Sequence, residues 1–138
     1  MDKKTLRQYR DMADEVMWLW EEITRLRAKA ESYSQPDGTP RSKYRTDRLS
    51  GVIAAIADLC DLLDRKRSII VFLQAEIESA IAELDPKERQ VIRTRYIEGL
   101  NWAEICEKEN YSWRQVHYIH SEALKKLERT GNNKTSEQ

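Results

Sequence analysis

Four residues near the C-terminal end, Arg114, Gln115, His117 and Tyr118, are of the types that read base edges in duplex DNA. A guanidinium grips guanine O6 and N7 with two donors, a carboxamide matches the N6/N7 edge of adenine, and imidazole and phenol donate singly. Lys125 and Lys126 farther on, and Arg93 and Lys108 upstream, are of the type that pairs with phosphate, and the Ser121 hydroxyl can donate to a phosphate oxygen. Plainer readings stand beside these: Tyr118 and His117 can equally be residues that cover a solvated helix. His120 falls nearer the apolar side and reads as a core-edge histidine, and Trp102 reads as core. Trp113 reads as packing against Trp102, with the sugar-phosphate backbone as the alternative.

Catalysis is not indicated. There is no Gly-rich phosphate loop, no metal-ligand constellation and no Ser or Cys with a plausible base. His117 and His120 have the spacing of a metal pair, but no Cys or carboxylate completes it nearby, so neither metal nor cofactor is expected. Cys60 and Cys106 are far apart inside helical patterns and read as reduced, buried residues rather than a disulfide framework. The carboxylates are spread over solvated helical faces, and the expectation is a protein that is not an enzyme.

The elements that must position the candidates lie between Leu84 and Glu128, where three helix starts follow one another closely. Asp85 can accept from first-turn amides, Pro86 fits a position where no amide is needed, and Glu88 would complete a capping box. Asn101 with Glu104 and Ser112 with Gln115 repeat the cap-x-x-acid/amide pattern ahead of apolar runs. Gly99 follows the first helix, and Glu109-Asn110-Tyr111 makes a short turn after the second. The apolar stripes are Val91, Ile92, Tyr96 and Leu100; Trp102 and Ile105; and Val116, Ile119, Ala123 and Leu127. Three short one-sided helices can bury those stripes only against one another. In the last helix this leaves Arg114, Tyr118, Ser121 and Lys125 on the opposite side, flanked by His117 and Gln115.

The pattern L-x-P-x-E-R-x-V-I-x-x-R-Y, a Gly-Leu, a W-x-E-I helix and then Y-S-x-x-x-V-x-x-I-x-x-x-A-L-x-x-L resembles region 4 of bacterial sigma factors over the C-terminal third of the chain. It is similar above all to the small phage proteins grouped with the RinA and ArpU late-transcription regulators, which join a long helical part to a region-4-like end. The resemblance implies a DNA-binding transcriptional regulator encoded by a phage or prophage, with activation of late genes as its role. The scaffold positions Arg89, Val91, Ile92, Arg95, Tyr96, Ile105, Ser112, Val116, Ile119, Ala123, Leu124 and Leu127 all carry the expected residue types. The reading positions depart from the pattern. Sigma factors crowd the start of this helix with Arg and Glu and use a Gln one turn later, whereas here those slots hold Trp113, Arg114, Gln115, His117 and Tyr118. Nothing resembles the sigma region that melts promoters, so a complete sigma factor is not expected.

Upstream, Leu6, Tyr9, Ala13, Val16, Trp20 and Ile23 alternate three and four residues apart, which predicts a helix over about 4–31 with a heptad-like seam. Met12, Met17, Leu19 and Leu26 widen the seam, and Trp18 reads as a flank of that core, or else as an anchor for another chain. The stretch 32–46 has loop composition around Pro36-Asp37-Gly38-Thr39-Pro40. Its Arg41, Lys43, Arg45 and Arg48 cluster with Tyr44 could touch phosphate, but a solvated basic loop is the plainer reading. Val52, Ile56, Leu59, Leu63, Ile70, Leu73, Ile77, Ala80 and Leu84 predict a second helix over about 47–84, interrupted at Lys66 by a solvated patch or register device. Thirty helical residues span roughly 45 Å, so the natural partner is the first helix, in an antiparallel hairpin. The fold class expected is all-α, with domains 1–83 (hairpin) and 84–129 (helix-turn-helix) and a disordered tail over 130–138.

Long seams of this kind usually leave apolar surface for another subunit, so a homo-oligomer is expected, with a dimer matching two half-sites. Charge does not decide the partner: the chain has 24 basic and 24 acidic residues, and residues 86–129 hold nine Lys/Arg against seven Glu. No signal peptide or long apolar run appears, and the polar start MDKKTLRQYRDM fits a cytoplasmic protein with no membrane partner. Double-stranded DNA is the expected partner, with RNA polymerase a second candidate. Two rival readings stay open: a small-terminase-like packaging protein, and a module that binds RNA polymerase or another protein rather than DNA.

Overall fold

The computed structural model describes residues 1–34 and 43–136, and every regular element among them is helical, so the fold is all-α. Helix α1 spans Lys3–Ser34 and α2 spans Lys43–Ile81; α3 (Pro86–Ile92) widens into a π turn at Arg93–Ile97; α4 spans Trp102–Glu109 and α5 Trp113–Ser136. Helix α2 therefore starts earlier than the expected Asp47, so Lys43, Tyr44 and Arg45 are helical, while the expected turn at Pro36 to Pro40 and Arg41 lie outside the described residues. Helix α5 continues to Ser136, beyond Arg129 where the apolar pattern stops. No helix among the described residues is long and apolar enough to cross a membrane.

The described residues form two compact units, Ala13–Ile69 and Met1–Met12 with Ile70–Gln138. In Ala13–Ile69, α1 and α2 run antiparallel: Lys66 Nζ pairs with Glu15 at 2.8 Å, Arg27 reaches Cys60 Sγ at 4.0 Å and Arg45 donates to the Ser32 carbonyl at 3.2 Å. Leu19, Ile23 and Leu63 form the buried centre, with Val16, Ile56, Leu59, Cys60 and Leu62 packed around it. The seam thus passes through Leu19 and not Trp20, which is 46 % exposed with the Arg67 guanidinium 5.6 Å from its ring centre. A one-residue step turns a helix by about 100°, and both residues satisfy a three-and-four spacing, so the pattern alone could not choose between them. Trp18, expected to flank the core, is 59 % exposed. The break at Lys66 is an ion pair across the hairpin.

In the other unit, the start of α1 and the end of α2 belong with the three C-terminal helices. Leu6, Tyr9, Ile77, Ile81, Leu84, Val91, Ile92, Tyr96, Ile105, Val116, Ala123 and Leu127 are all buried there. A boundary at residue 84 would therefore cut through a common core. Three arginines bond carbonyls at the helix ends and in the turns just beyond them, where intrahelical partners run out. Arg89 Nη1 donates to the Ala82 and Leu84 carbonyls at 3.2 Å, Arg10 Nη1 to those of Tyr96 and Ile97 at 3.2 and 2.9 Å, and Arg95 Nη1 to that of Leu100 at 3.1 Å. Arg93 clasps Glu78 of α2 with Nε and Nη2, the shortest contact being 2.6 Å.

The cap expected at Asp85 is not made: its backbone is extended, as a cap requires, but its side chain accepts no first-turn amide. Glu88, the other half of the expected box, is buried and held by Lys126 of α5 at 2.6 Å. The π turn follows where Thr94, fully buried, turns its hydroxyl back onto the Gln90 and Val91 carbonyls at 2.8 and 3.1 Å. The chain then reverses at Gly99, whose φ of 77° favours glycine.

A Cβ at Gly99 would approach Arg10 Nη1 to 2.5 Å, the guanidinium that closes the preceding helix. Gly99→Ala is therefore expected to cost on the order of 1–2 kcal/mol through left-handed strain alone, and more through displacement of Arg10. Chemical denaturation of the single and double variants checks this. With Arg10→Ala already present, Gly99→Ala should cost measurably less than in the wild type, since the two residues share one contact.

Candidate nucleic-acid interface

Helix α4 begins with a complete capping box: Asn101 Oδ1 accepts from the Glu104 amide at 2.8 Å, and Glu104 Oε1 accepts from the Asn101 amide at 3.3 Å. It ends at Asn110 in the left-handed conformation, φ 57°, and the Tyr111 amide returns to the Cys106 carbonyl at 3.1 Å. Asparagine tolerates that backbone better than most residues. Ser112 Oγ then accepts from the Gln115 amide at 3.2 Å and starts α5. The turn between the two helices is thus set by local chemistry, and α5 is directed by it.

On α5 the inward residues Val116, His120, Ala123 and Leu127 are buried, while Arg114, Gln115, Tyr118, Ser121 and Lys125 are exposed. Arg114, Tyr118, Ser121 and Lys125 recur three or four residues apart and so share one outward face. Tyr118 is 68 % exposed. Lys125 is loosely paired with Glu122 of its own helix at 3.4 Å.

The other candidates are placed differently. His117 is half-buried, with its ring 4.5 Å from that of Trp102 and 4.6 Å from that of Trp113, and its Nε2 is buried without a protein partner. It supports its neighbours instead of presenting a free edge. Arg93 is committed to Glu78, Lys108 to Glu98 at 2.8 Å, and Lys126 to Glu88 at 2.6 Å and Asp85 at 3.4 Å. These pairs raise the pKa of each cation, chiefly through the hydrogen bond to its carboxylate. The hydrogen bond from Arg93 lowers that of Glu78, and that of Asp85 is lowered first by its hydrogen bond with Glu88 and then by the Lys126 charge. Of the five phosphate candidates, Ser121 and Lys125 remain on the outward face.

An aromatic ladder connects that face to the core. Trp113 lies against His117, His117 against Trp102, and Trp102 edge-on to His120 at 4.8 Å; His120 Nε2 is 2.8 Å from the Tyr96 hydroxyl. The Arg95 guanidinium stands 4.5 Å from the Trp102 ring centre. Burial, with smaller contributions from Lys3, His117, Arg95 and Arg7, lowers the His120 pKa to about 4. Burial also raises that of Tyr96. His120 is therefore neutral at pH 7. The ladder draws on residues from the π turn, α4 and α5, and its signal in sequence was the recurrence of Trp and His at helical spacing. Trp113 itself is 58 % exposed.

Among the described residues no three His, Cys, Asp or Glu side chains are grouped to hold a metal ion. Cys60 and Cys106 are free and half-buried, where full burial was expected.

Residues 80–129 match the family described as sigma-70, region 4, a helix-turn-helix domain of the DNA-binding, non-enzymatic kind. The match begins in the last turn of α2 and ends in α5. No curated protein and no solved structure matches the chain.

Two outcomes are expected. As pH falls, the folded chain takes up the His120 proton later than the unfolded chain does, because its pKa is lowered from 6.5 to about 4. Stability from this group is therefore complete above about pH 6.5 and is lost as pH falls toward 4, on the order of 2 kcal/mol once solvent screening is allowed for. Denaturant titrations at steps between pH 5 and 7, where Glu78 and Asp85 stay ionised, should show the slope in the wild type and a flatter profile in His120→Gln. Separately, Lys126→Ala should lower the melting temperature by leaving the buried Glu88 carboxylate without its cation, whereas Lys125→Ala should leave it unchanged.

Proposed function

We propose that this chain is a sequence-specific regulator that binds double-stranded DNA and controls transcription of phage or prophage genes in the cytoplasm. We assign it to the RinA and ArpU kind, with activation of late genes as its role. The observation that carries the reading is the outward face of α5, where Arg114, Tyr118, Ser121 and Lys125 are exposed together in the part of the chain that matches sigma-70 region 4. Helix α5 enters the major groove; Arg114 grips a guanine through O6 and N7, with Gln115 and Tyr118 on neighbouring base edges. Ser121 and Lys125 hold phosphate.

A homodimer would present two such heads to two half-sites. Support for self-association comes from α2, where Val71 and Phe72 are 65 % and 75 % exposed. A mass measurement in solution separates a dimer from the ring-sized assembly that a packaging protein would form.

One observation favours a second reading, in which the region-4-like end binds RNA polymerase or another protein. Three of the basic candidates are neutralised by carboxylates, and the chain carries no net charge. A DNA binder of this design gains little from bulk electrostatics and must rely on a few placed contacts.

Selection from a pool of fragments of the surrounding phage or prophage DNA, at two salt concentrations, distinguishes the two. The wild type should enrich a defined site, and Arg114→Ala should bind it roughly 10- to 100-fold more weakly. Weak binding of all fragments by both proteins would instead support the protein-binding module.

A further inference from the structure

The ladder ends on a residue that the reading above leaves without a task. Trp113 is the first residue of α5, adjacent to Arg114, and more than half its surface faces solvent. Its indole is not loose. His117, one turn on, lies 4.6 Å from it, and His117 is backed by Trp102 at 4.5 Å. Because helical side chains lean toward the helix start, His117 leans back onto Trp113. A large apolar ring is thus held in place beside the residue placed to grip guanine.

What such a ring can recognise follows from the chemistry of the groove. Paired bases show their edges and not their faces in the major groove, so an indole cannot stack on them without unpairing the duplex. It has one N–H donor and no acceptor, too little to distinguish base pairs by hydrogen bonding. The one apolar group on any base edge in that groove is the 5-methyl of thymine. Resting on the DNA-binding reading above, we propose that Trp113 is a specificity-determining residue that recognises the 5-methyl group of a thymine next to the guanine gripped by Arg114. Because the ring is already ordered by His117, little side-chain entropy remains to be lost on contact. Burial of one methyl group in such a contact corresponds to about a fourfold change in affinity.

The test removes only that methyl. On the site enriched by the wild type, each thymine is replaced singly by deoxyuridine, and Kd is measured for the wild type, Trp113→Ala and Trp113→Phe. One thymine in each half-site, adjacent to the guanine whose contact depends on Arg114, is expected to give about a fourfold weakening with the wild type, a similar one with Trp113→Phe and none with Trp113→Ala. If the wild type selects a site yet tolerates deoxyuridine everywhere, or if Trp113→Ala shows the same penalty, the methyl contact is overturned while the regulator reading stands. If the wild type selects no site, both fall together. The deoxyuridine series uses the wild-type protein, so the result does not depend on how a variant folds.

Discussion

Helix ends impose the constraint on which the C-terminal unit depends. A chain that breaks into several short helices exposes carbonyls at every break, and those near a core need donors. Guanidinium groups meet that need: Arg89 closes the end of α2, Arg10 the π turn after α3, and Arg95 the turn into α4. Each of these side chains also fixes one element relative to another. Arg10 is the most consequential, because it comes from the first helix of the chain and holds the turn through Gly99 that leads to α4. The helix-turn-helix therefore shares its core and its caps with the start of α1 and the end of α2.

The same economy of charge shapes the outer surface. Cations that a sequence count would assign to DNA are used inside the unit: Arg93 on Glu78, Lys108 on Glu98, Lys126 on the buried Glu88. What remains outward on α5 is a narrow face with Arg114 at one end and Lys125 at the other. On the proposed DNA-binding reading, such a face favours selectivity over general affinity, since phosphate contacts bind all sequences alike. Its leading turn is packed through the Trp113, His117 and Trp102 rings, with His120, kept neutral by burial, behind them.

The parts of this architecture legible in the sequence are those fixed within a few residues. The Asn101 and Ser112 caps, the reversal at Gly99 and most of the stripes of α3, α4 and α5 depend on neighbours at most a turn away and are legible in residue type and spacing; of the stripe residues, Leu100, Trp102 and Ile119 are only half-buried, and His120 is buried beside Ile119. What depends on distant partners was not. Asp85 and Glu88 have the spacing of a capping box, yet Glu88 is drawn inward by a lysine 38 residues later. Arg10 meets carbonyls more than eighty residues away, which no local pattern indicates. Leu19 and Trp20 were equally good seam residues until the facing helix was in place. The pairing of Arg93, Lys108 and Lys126 is hidden for a related reason: sequence shows that a cation is present, but not whether a carboxylate from another element lies against it.

The proposed function requires the outward face of α5 to meet DNA. Backbone amide shifts of the isotope-labelled protein, followed as a duplex containing the selected site is added, show whether it does. The largest changes are expected across Trp113 to Lys125, with residues 13–69 little affected. Changes confined to the hairpin, or an α5 that stays silent while the complex forms, would contradict the proposal.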